Sequence, residues 1–163
     1  MENILRLYYL EDLQPGQRFI SESTCLSREE IVAFAERYDP QPFHLEESAA
    51  QASLFGGLAA SGWHTAALTM RMLVKGGLPL AGGLVGVQMS LSWPNPTRPT
   101  DTLHVESEII DIVRSRSNPE RGIVTVRSET KDLAGEVRQV LTGKVLVQAR
   151  KPGPVLSQPV LGT

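Results

Sequence analysis

The stretch SGWHTAALTMRMLVKGG, residues 61–77, decides the fold because it is the long apolar helical pattern of this chain. Apolar residues fall on overlapping faces from about Ser61 to Lys75, and Gly76-Gly77 is a typical stop signal. A helix that is apolar almost all round is typical of a buried helix, not of one that lies half in water. We therefore predict a central helix with other structure wrapped around it.

Four long segments after this helix predict strands. They are rich in Val, Ile, Leu and Thr, are separated by Pro- or Gly-containing breaks, and span residues 84–93, 102–116, 121–132 and 137–150. In the second segment Leu103, Val105 and Ile109 alternate with polar residues, as in an antiparallel sheet with one wet face. Leu133-Ala134-Gly135 fits a short hairpin turn. This order of elements predicts an α+β fold with an antiparallel sheet.

The segment before the central helix predicts short elements joined by a loop. Residues 18–25 are expected to be extended, and Ser27-Arg-Glu-Glu30 is a capping box that should start a helix. Pro40 ends any continuation of that helix. Residues 46–52 fit a second, short helix before Gly56-Gly57. The segment from Asp39 to His44 therefore emerges at a helix C-terminus.

Asp39-Pro-Gln-Pro-Phe-His44 places a carboxylate and an imidazole on one stiff segment. Pro40 and Pro42 fix their own φ and restrict the residues before them, so we expect this segment to form neither helix nor central strand. A general base works only when it is held within reach of its proton, and imidazole has an ordinary pKa near neutrality. Asp39 and His44 are therefore candidate catalytic residues. A proline-rich turn with a capping Asp and a structural His is the alternative.

Three motifs resemble one known family. Residues 39–44 resemble the D-x-N-P-x-H signature of MaoC-like dehydratases, the (R)-specific enoyl-CoA hydratases of the hotdog fold. Residues 55–63, FGGLAASGW, look like the family's F-G-G-x-x-A-H-G-M stretch, which opens the central helix. Residues 92–103, SWPNPTRPTDTL, are similar to its R-F-x-x-P-V-x-x-G-D-T-L passage. The resemblance covers roughly residues 6–150 and implies a hotdog fold, with an antiparallel sheet wrapped around a long central helix.

The resemblance also implies an activity. It identifies the chain as an acyl-CoA hydratase/dehydratase in which Asp39 and His44 share one water molecule. The backbone amide of Gly62, at the start of the helix, would stabilise charge on the thioester oxygen, because amides in the first turn have no partner within the helix. Tight helix packing would explain Gly62 equally well. The family further implies a homodimer, which would pair the edges of the long strands.

The sequence departs from the family at three positions, which we treat as candidate substrate-binding residues. Gln41 stands where the family usually has Asn, Ser61 where a His usually precedes the glycine, and Trp63 where a smaller apolar residue is usual. The longer amide of Gln41 lies beside the reacting centre. The bulk of Trp63 would either fill acyl space or pack in the core. These departures bear on pocket shape more than on reaction type.

Composition fits one catalytic domain. The chain has 163 residues, of which 41% are apolar and 21% charged, which is enough for one core and too few for two domains. We predict a single hotdog domain over residues 1–151 and a loose tail over residues 152–163, where Pro and Gly recur without periodicity. The net charge of −2 and the lack of a basic stripe argue against nucleic acid. Without a long apolar run or a secretory signal, we expect a cytoplasmic protein that does not bind membranes.

The remaining candidates for chemistry are weak. Cys25 is the single cysteine and is expected to be a small buried residue on a strand. His64 fits a structural or pocket-lining role better than catalysis, and His104 should be exposed to solvent. The three histidines lack the spacing of a metal site, and the paired glycines lack a nucleotide-binding pattern. We therefore expect neither a metal nor a cofactor.

Two other functions remain open. A hotdog thioesterase would direct the water at the carbonyl carbon instead of the β-carbon. A non-catalytic acyl-CoA binding subunit would explain the departures at Gln41, Ser61 and Trp63 as loss of activity, although the intact Asp39 and His44 argue against this. CoA is favoured over acyl carrier protein as the carrier, whereas chain length and direction cannot be read from the residues.

Overall fold

A single antiparallel sheet forms the framework of the protein. The computed structural model describes residues 6–151, so the predicted tail over residues 152–163 lies outside the described residues. The sheet has the order β1-β4-β5-β6-β3, and β2 also pairs with β4. Its strands are β1 (Arg18–Ile20), β2 (Thr24–Cys25), β3 (Val85–Ser92), β4 (Thr102–Arg114), β5 (Arg121–Asp132) and β6 (Val137–Gln148). The four predicted long strands are confirmed to within two residues at each end.

The helices lie mostly between β2 and β3. They are α1 (Arg28–Tyr38), α2 (Pro42–Leu45), α3 (Glu47–Gln51) and α4 (Gly62–Met72), and a π-helical turn, Leu73–Gly77, extends α4. The capping box of α1 is confirmed, because the Ser27 hydroxyl accepts from the Glu30 amide and the Glu30 carboxylate accepts from the Ser27 amide. The extension of α4 ends as predicted at the paired glycines, where Gly76 takes a φ of +131° that disfavours other residues.

Helix α4 packs across the inner face of the sheet. Its buried side consists of Thr65, Leu68, Thr69 and Met72, and the facing strands contribute fully buried valines such as Val105, Val124 and Val147. The opposite side of the helix is open, with Trp63 61% exposed and Val74 59% exposed. The expectation of burial all round is therefore wrong for the single chain. A curved sheet covers one side of a helix, and within residues 6–151 nothing covers the other side.

The segment with two prolines is partly helical, which corrects the prediction that it would form no helix. Pro42 is the first residue of α2, and His44 lies on that single turn. Proline is well tolerated at this position because the first amides of a helix have no partner within it and its fixed φ already suits a helix. Pro40 precedes the turn and remains outside it.

Cys25 is exposed, so the prediction that it is buried is wrong. It does lie on a strand, β2, but that strand has two residues. Leu26, the next residue, is buried at 3% exposure. Because neighbouring side chains in extended chain point to opposite sides, burial of Leu26 turns Cys25 outward.

The short helices bring the stiff segment to the start of α4. Helix α1 contacts both α2 and α4, and α2 packs against α3. The chain then crosses residues 52–61 and enters α4 at Gly62. As a result, the end of α1, the turn of α2 and the N-terminus of α4 meet at one edge of the molecule. No helix among residues 6–151 is both long and apolar enough to cross a membrane.

Candidate active site

Asp39 and His44 face each other at this edge. Asp39 is the C-cap residue of α1, and its amide donates to the Ala35 carbonyl at 2.9 Å. His44 projects from α2, and its Nε2 lies 3.4 Å from Asp39 Oδ2. The exposed fraction is 5% for the His44 side chain and 18% for that of Asp39. The two groups predicted to be catalytic are therefore brought together, with the carboxylate on the solvent side.

A backbone contact fixes the proton of His44. Its Nδ1 lies 2.7 Å from the carbonyl oxygen of Ala59. Since a carbonyl only accepts, Nδ1 carries the hydrogen and the neutral ring presents the lone pair of Nε2 to Asp39. The rings of Phe43 and Phe55 flank the imidazole at centroid distances of 4.6 Å and 5.8 Å. The imidazole is thus held in one orientation and one tautomer.

The environment keeps Asp39 ionised. Partial burial raises the pKa of its carboxyl, but hydrogen bonds from Ser61 and Gln41, together with the positive charge that His44 carries when it is protonated, lower that pKa by more, to below its ordinary value of 3.8. The Gln41 amide donates to Asp39 Oδ1 at 2.7 Å. This leaves Oδ2 as the oxygen that faces the imidazole.

Helix α4 begins beside this pair. Ser61 is its N-cap, with its hydroxyl accepting from the Trp63 amide at 3.2 Å. The Gly62 amide belongs to the first turn, where amides have no acceptor within the helix, and among residues 6–151 it forms no other hydrogen bond. A side chain at Gly62 would meet the ring of Trp93, because an added Cβ would lie 2.9 Å from its Cδ2 and Cε2 atoms. Glycine at position 62 therefore allows the Trp93 ring to pack closely on the start of α4, and the Gly62 amide remains available as a hydrogen-bond donor.

An open groove of about 540 Å³ leads to these groups. The groove reaches His44 and Gly62. The rest of its wall consists of Leu54, Phe55 and Ala60 from the loop before α4, Thr65 on α4, and residues 93–98. Much of this wall is apolar, with few polar groups, which is the usual composition of a small-molecule site of this size. Asp39 and Gln41 are not part of the groove wall themselves, and Asp39 lies beside His44, which is.

The arrangement is suited to holding a water molecule. In the neutral form of His44, the Nε2 lone pair and the carboxylate of Asp39 are both acceptors, and they stand 3.4 Å apart. Two acceptors at this separation do not bond each other, but one water can donate a hydrogen to each. A water held in this way has its oxygen lone pairs directed away from both groups. It is therefore oriented as a nucleophile with a base at hand.

Residues 12–132 match the sequence model of the family described as "MaoC like domain". The chain belongs to the MaoC-like family. The match includes both halves of the site, the Asp39–His44 segment and the start of α4. It stops at the end of β5, so β6 lies beyond it.

Named relatives and a solved structure agree with this assignment. The chain is 34% identical to a 3-hydroxybutyryl-CoA dehydratase of Methylorubrum extorquens, over 90% of this chain and 87% of the relative. It is 33% identical to an (R)-specific enoyl-CoA hydratase of Rhodospirillum rubrum, over 90% and 96%. A crystal structure of a MaoC-like dehydratase from Rhodospirillum rubrum superposes with a TM-score of 0.87 at 56% identity, covering 89% of this chain and 99% of that one. The predicted hotdog fold is confirmed.

The three positions that depart from the usual MaoC-like pattern have different surroundings. Gln41 is exposed and binds Asp39, and Ser61 is 1% exposed and contacts Asp39 and the first turn of α4. Trp63 is 61% exposed and packs edge to face on Trp93, with ring centroids 5.5 Å apart. None of the three lines the groove directly. A substrate-binding role stays a prediction for each, and for Trp63 the exposure argues against the alternative of core packing.

Sequence reasoning missed two residues of the MaoC-like groove. Trp93 forms the part of the wall that packs on Gly62. Arg98 holds the loop before α4 in place by donating to the carbonyls of Phe55, Gly57 and Leu58. Both lie within the passage SWPNPTRPTDTL, residues 92–103, which resembles the family pattern. The unusual Trp and the lone Arg among prolines were the available signals. Neither signal indicates which residue, some 30 or 40 positions earlier in the sequence, the Trp or the Arg contacts.

The other two histidines, His64 and His104, lie outside the groove wall. Among the described residues, no group of His, Cys, Asp and Glu side chains could hold a metal ion. His104 is on the polar face of β4 as predicted, but it is only partly exposed, with its side chain 20% exposed and Nε2 3.4 Å from Glu106. His64 stacks flat on Phe34, with ring centroids 4.4 Å apart, and within residues 6–151 its buried Nδ1 has no partner.

His64 should make the stability of the protein depend on pH. Burial lowers its pKa below the ordinary 6.5, against a smaller opposing effect of Glu30. As pH falls below 6.5, the unfolded chain takes up a proton that folded His64 resists, so the free energy of unfolding decreases. His64→Phe keeps a ring against Phe34 and removes this loss. We expect its melting temperature to fall less than that of the wild type between pH 7 and pH 5.

The control is His104→Phe, the same replacement on the outer face of the sheet. It should retain the acid-induced loss that the wild type shows, because His64 is still present. Melting curves of the three proteins across this pH range decide the matter. Equal pH slopes for His64→Phe and the wild type would show that His64 does not titrate with folding.

Proposed function

We propose that this MaoC-like protein adds water across the α,β double bond of an enoyl-CoA thioester, or removes it from the 3-hydroxyacyl product. The observation that carries the proposal is the pair of acceptors, Asp39 Oδ2 and His44 Nε2, 3.4 Å apart beside the free amide of Gly62. The names of the two curated relatives support the same reaction class.

The reaction requires two tasks of the site. Water held by Asp39 and His44 gives a proton to one of the pair while its oxygen bonds to the β-carbon. The double-bond electrons shift toward the carbonyl, and negative charge develops on the thioester oxygen. The Gly62 amide, at the positive end of α4, would donate to that oxygen. A proton from the pair then reaches the α-carbon, so that one molecule of water is added in total.

Gln41 and Ser61 would prepare the carboxylate. Both bind Asp39, and the lowered pKa of Asp39 favours its ionised form over the working pH range. In this proposal they act on substrate through the catalytic pair. Trp63 would act through Trp93, whose ring it contacts and which lines the groove.

An assay of product and thiol tests the reaction class. Incubation with crotonyl-CoA in ¹⁸O-labelled water should give 3-hydroxybutyryl-CoA labelled at the β-carbon, with loss of the conjugated thioester absorbance and no free thiol. The His44→Ala protein, prepared in parallel, controls for contaminating hydratase. Thiol release that matches substrate loss, with no hydroxyacyl product by mass spectrometry, would identify a thioesterase. No conversion of any enoyl-CoA would favour a binding subunit.

Trp63→Met tests how the groove selects acyl chains. Because Trp63 packs on the Trp93 wall, a smaller and more flexible side chain should widen the groove and raise kcat/KM for longer or branched acyl groups relative to short ones. Each methylene accommodated is worth about 1–3 kcal/mol. Stability should change little, since Trp63 is 61% exposed. Kinetics across enoyl-CoAs from C4 to C12 measure this, and an unchanged ranking would exclude Trp63 as a specificity residue.

We further propose that the protein works as a homodimer joined through β3. This strand is an edge of the sheet and bears exposed apolar side chains, with Val85 51%, Val87 61% and Met89 39% exposed. An unpaired apolar edge is a site for strand pairing with a second copy. Sedimentation of the intact chain tests this, and a monomer at every concentration would refute it.

A further inference from the structure

A chain of buried polar side chains connects the groove to the interior of the sheet. The Trp93 indole Nε1 donates to Gln139 Oε1 at 2.8 Å, and Gln139 Nε2 donates to Thr69 Oγ1 at 3.0 Å. Thr69 Oγ1 lies 2.6 Å from Thr130 Oγ1. Gln139, Thr69 and Thr130 are fully buried, whereas Trp93 at the near end is 39% exposed.

One arrangement of the protons satisfies every hydrogen bond along this chain of side chains. In this arrangement Thr69 donates its hydroxyl hydrogen to the carbonyl of Thr65 at 2.9 Å and accepts from both Gln139 and Thr130. An indole N–H can only donate, which turns the carbonyl oxygen of the Gln139 amide toward Trp93. A flip of the Gln139 amide would set its Nε2 donors against the indole N–H and lose the bond to Trp93.

Gln139 is an unusual choice for a fully buried position between helix and sheet. A leucine or methionine of similar volume would fill the space without a polar group that must be paired. The amide gains its two partners by linking α4 to Trp93. Its distinct contribution is therefore to fix the indole.

The fixed indole lies on Gly62. Its Cδ2 and Cε2 atoms would be 2.9 Å from a Cβ at that position, so the ring covers the start of α4 and forms a wall of the groove that reaches His44. A half-exposed tryptophan without this bond could adopt other rotamers at little cost. We infer that Gln139 is a positioning residue that, by anchoring the Trp93 indole, sets the shape of the groove beside the Gly62 amide. The kinetic part of this inference rests on the proposed function.

Hydrogen exchange of the indole tests the anchor without any turnover. The chain contains two tryptophans, Trp63 and Trp93, so ¹⁵N-labelled tryptophan gives two indole signals that Trp63→Phe assigns. The Trp93 N–H should exchange more slowly than that of the exposed Trp63. Gln139→Leu should speed its exchange about tenfold or more, whereas Gln139→Glu keeps an acceptor and should retain slow exchange. Equal exchange in the wild type and Gln139→Leu would overturn the inference.

Kinetics test whether the anchor matters for the reaction. Gln139→Leu should lower kcat/KM for crotonyl-CoA about 10- to 100-fold, as expected when a wall of the site is misplaced. The matched control is Ser107→Ala, which removes another buried hydrogen bond, to Ser128, away from the groove. It should lower the melting temperature and leave kcat/KM unchanged. Similar kinetic losses in both variants would reduce Gln139 to a general stability role.

A double-mutant cycle separates positioning from folding. If Gln139 acts through the indole N–H, then Gln139→Leu should cost no more than about twofold in a Trp93→Phe background, where that N–H is gone. Full additivity would refute the positioning role. Gln139→Met replaces Gln139→Leu if the latter does not fold. If the wild type hydrates no enoyl-CoA, the proposed function fails, and indole exchange alone decides whether Gln139 anchors Trp93.

Discussion

Alanine in place of Asp39 or of His44 is expected to lower the turnover of crotonyl-CoA hydration by about 10²–10⁴-fold, the usual contribution of an acid/base group. The reason is their shared position, with Oδ2 and Nε2 3.4 Å apart and both able to accept from one water. Because the two act on the same molecule, the double variant should be little slower than the worse single one. Steady-state kinetics at saturating substrate measure all three.

His104→Ala is the control for loss of an imidazole. It removes a histidine from the outer face of β4, away from the groove, and should leave turnover near the wild-type value. Circular dichroism and melting curves establish that each variant is folded. An Asp39 or His44 variant that is folded and retains near-native hydration on the best substrate would remove that residue from the mechanism.

Gly62→Ala should both destabilise the protein and lower kcat/KM for hydration about 100-fold. In an open helix this replacement stabilises by about 0.5–1 kcal/mol, because alanine loses less backbone entropy. Here the new Cβ would lie 2.9 Å from two ring atoms of Trp93, so the ring or the start of α4 must move. Either movement shifts the Gly62 amide relative to His44, and a misplacement of about 1 Å in an active site can lower the reaction rate about 100-fold. A decrease in stability would therefore indicate that Trp93 packs closely on Gly62, whereas an increase would indicate open space at that position.

A second replacement tests the cause of the Gly62→Ala effect. Trp93→Leu removes the ring that the new methyl would meet, so Gly62→Ala should be less destabilising in the Trp93→Leu background than alone. Thermal unfolding of the four proteins in this cycle gives the coupling. A stabilised, fully active Gly62→Ala variant would contradict both the packing and the assigned role of the amide.

Local signals gave most of the secondary structure. The Ser27–Glu30 capping box, the glycines after α4 and the alternation along β4 depend on neighbours within a few residues, and each is confirmed. The same local rules produced the errors. They predict that Pro42 prevents a helix, although it stands at a first helical position, where proline is accepted. They also predict burial of Cys25, whereas the buried residue is its neighbour Leu26.

The identity of the candidate catalytic pair was also accessible from sequence, because Asp39 and His44 are separated by four residues on one stiff segment. The tautomer of His44 and the ionisation of Asp39 could not be predicted from sequence. The tautomer of His44 depends on the carbonyl of Ala59, and the ionisation of Asp39 depends in part on Ser61. These contacts span more than ten residues and exist only because α1 and α2 dock beside the start of α4.

The sequence by itself determined the four long strands, helix α1 and the central helix, which family they compose, and which two side chains are the candidates for the chemistry. Only the tertiary structure decided the shape of the groove, where Trp93 lies over Gly62 and is bonded to Gln139 on β6. Helix capping, hydrophobic periodicity and the conformational restriction by proline act within a few residues, so they can be predicted from a short stretch of sequence. Contacts across 30 to 50 positions are set by strand register and helix docking, and no local pattern encodes these.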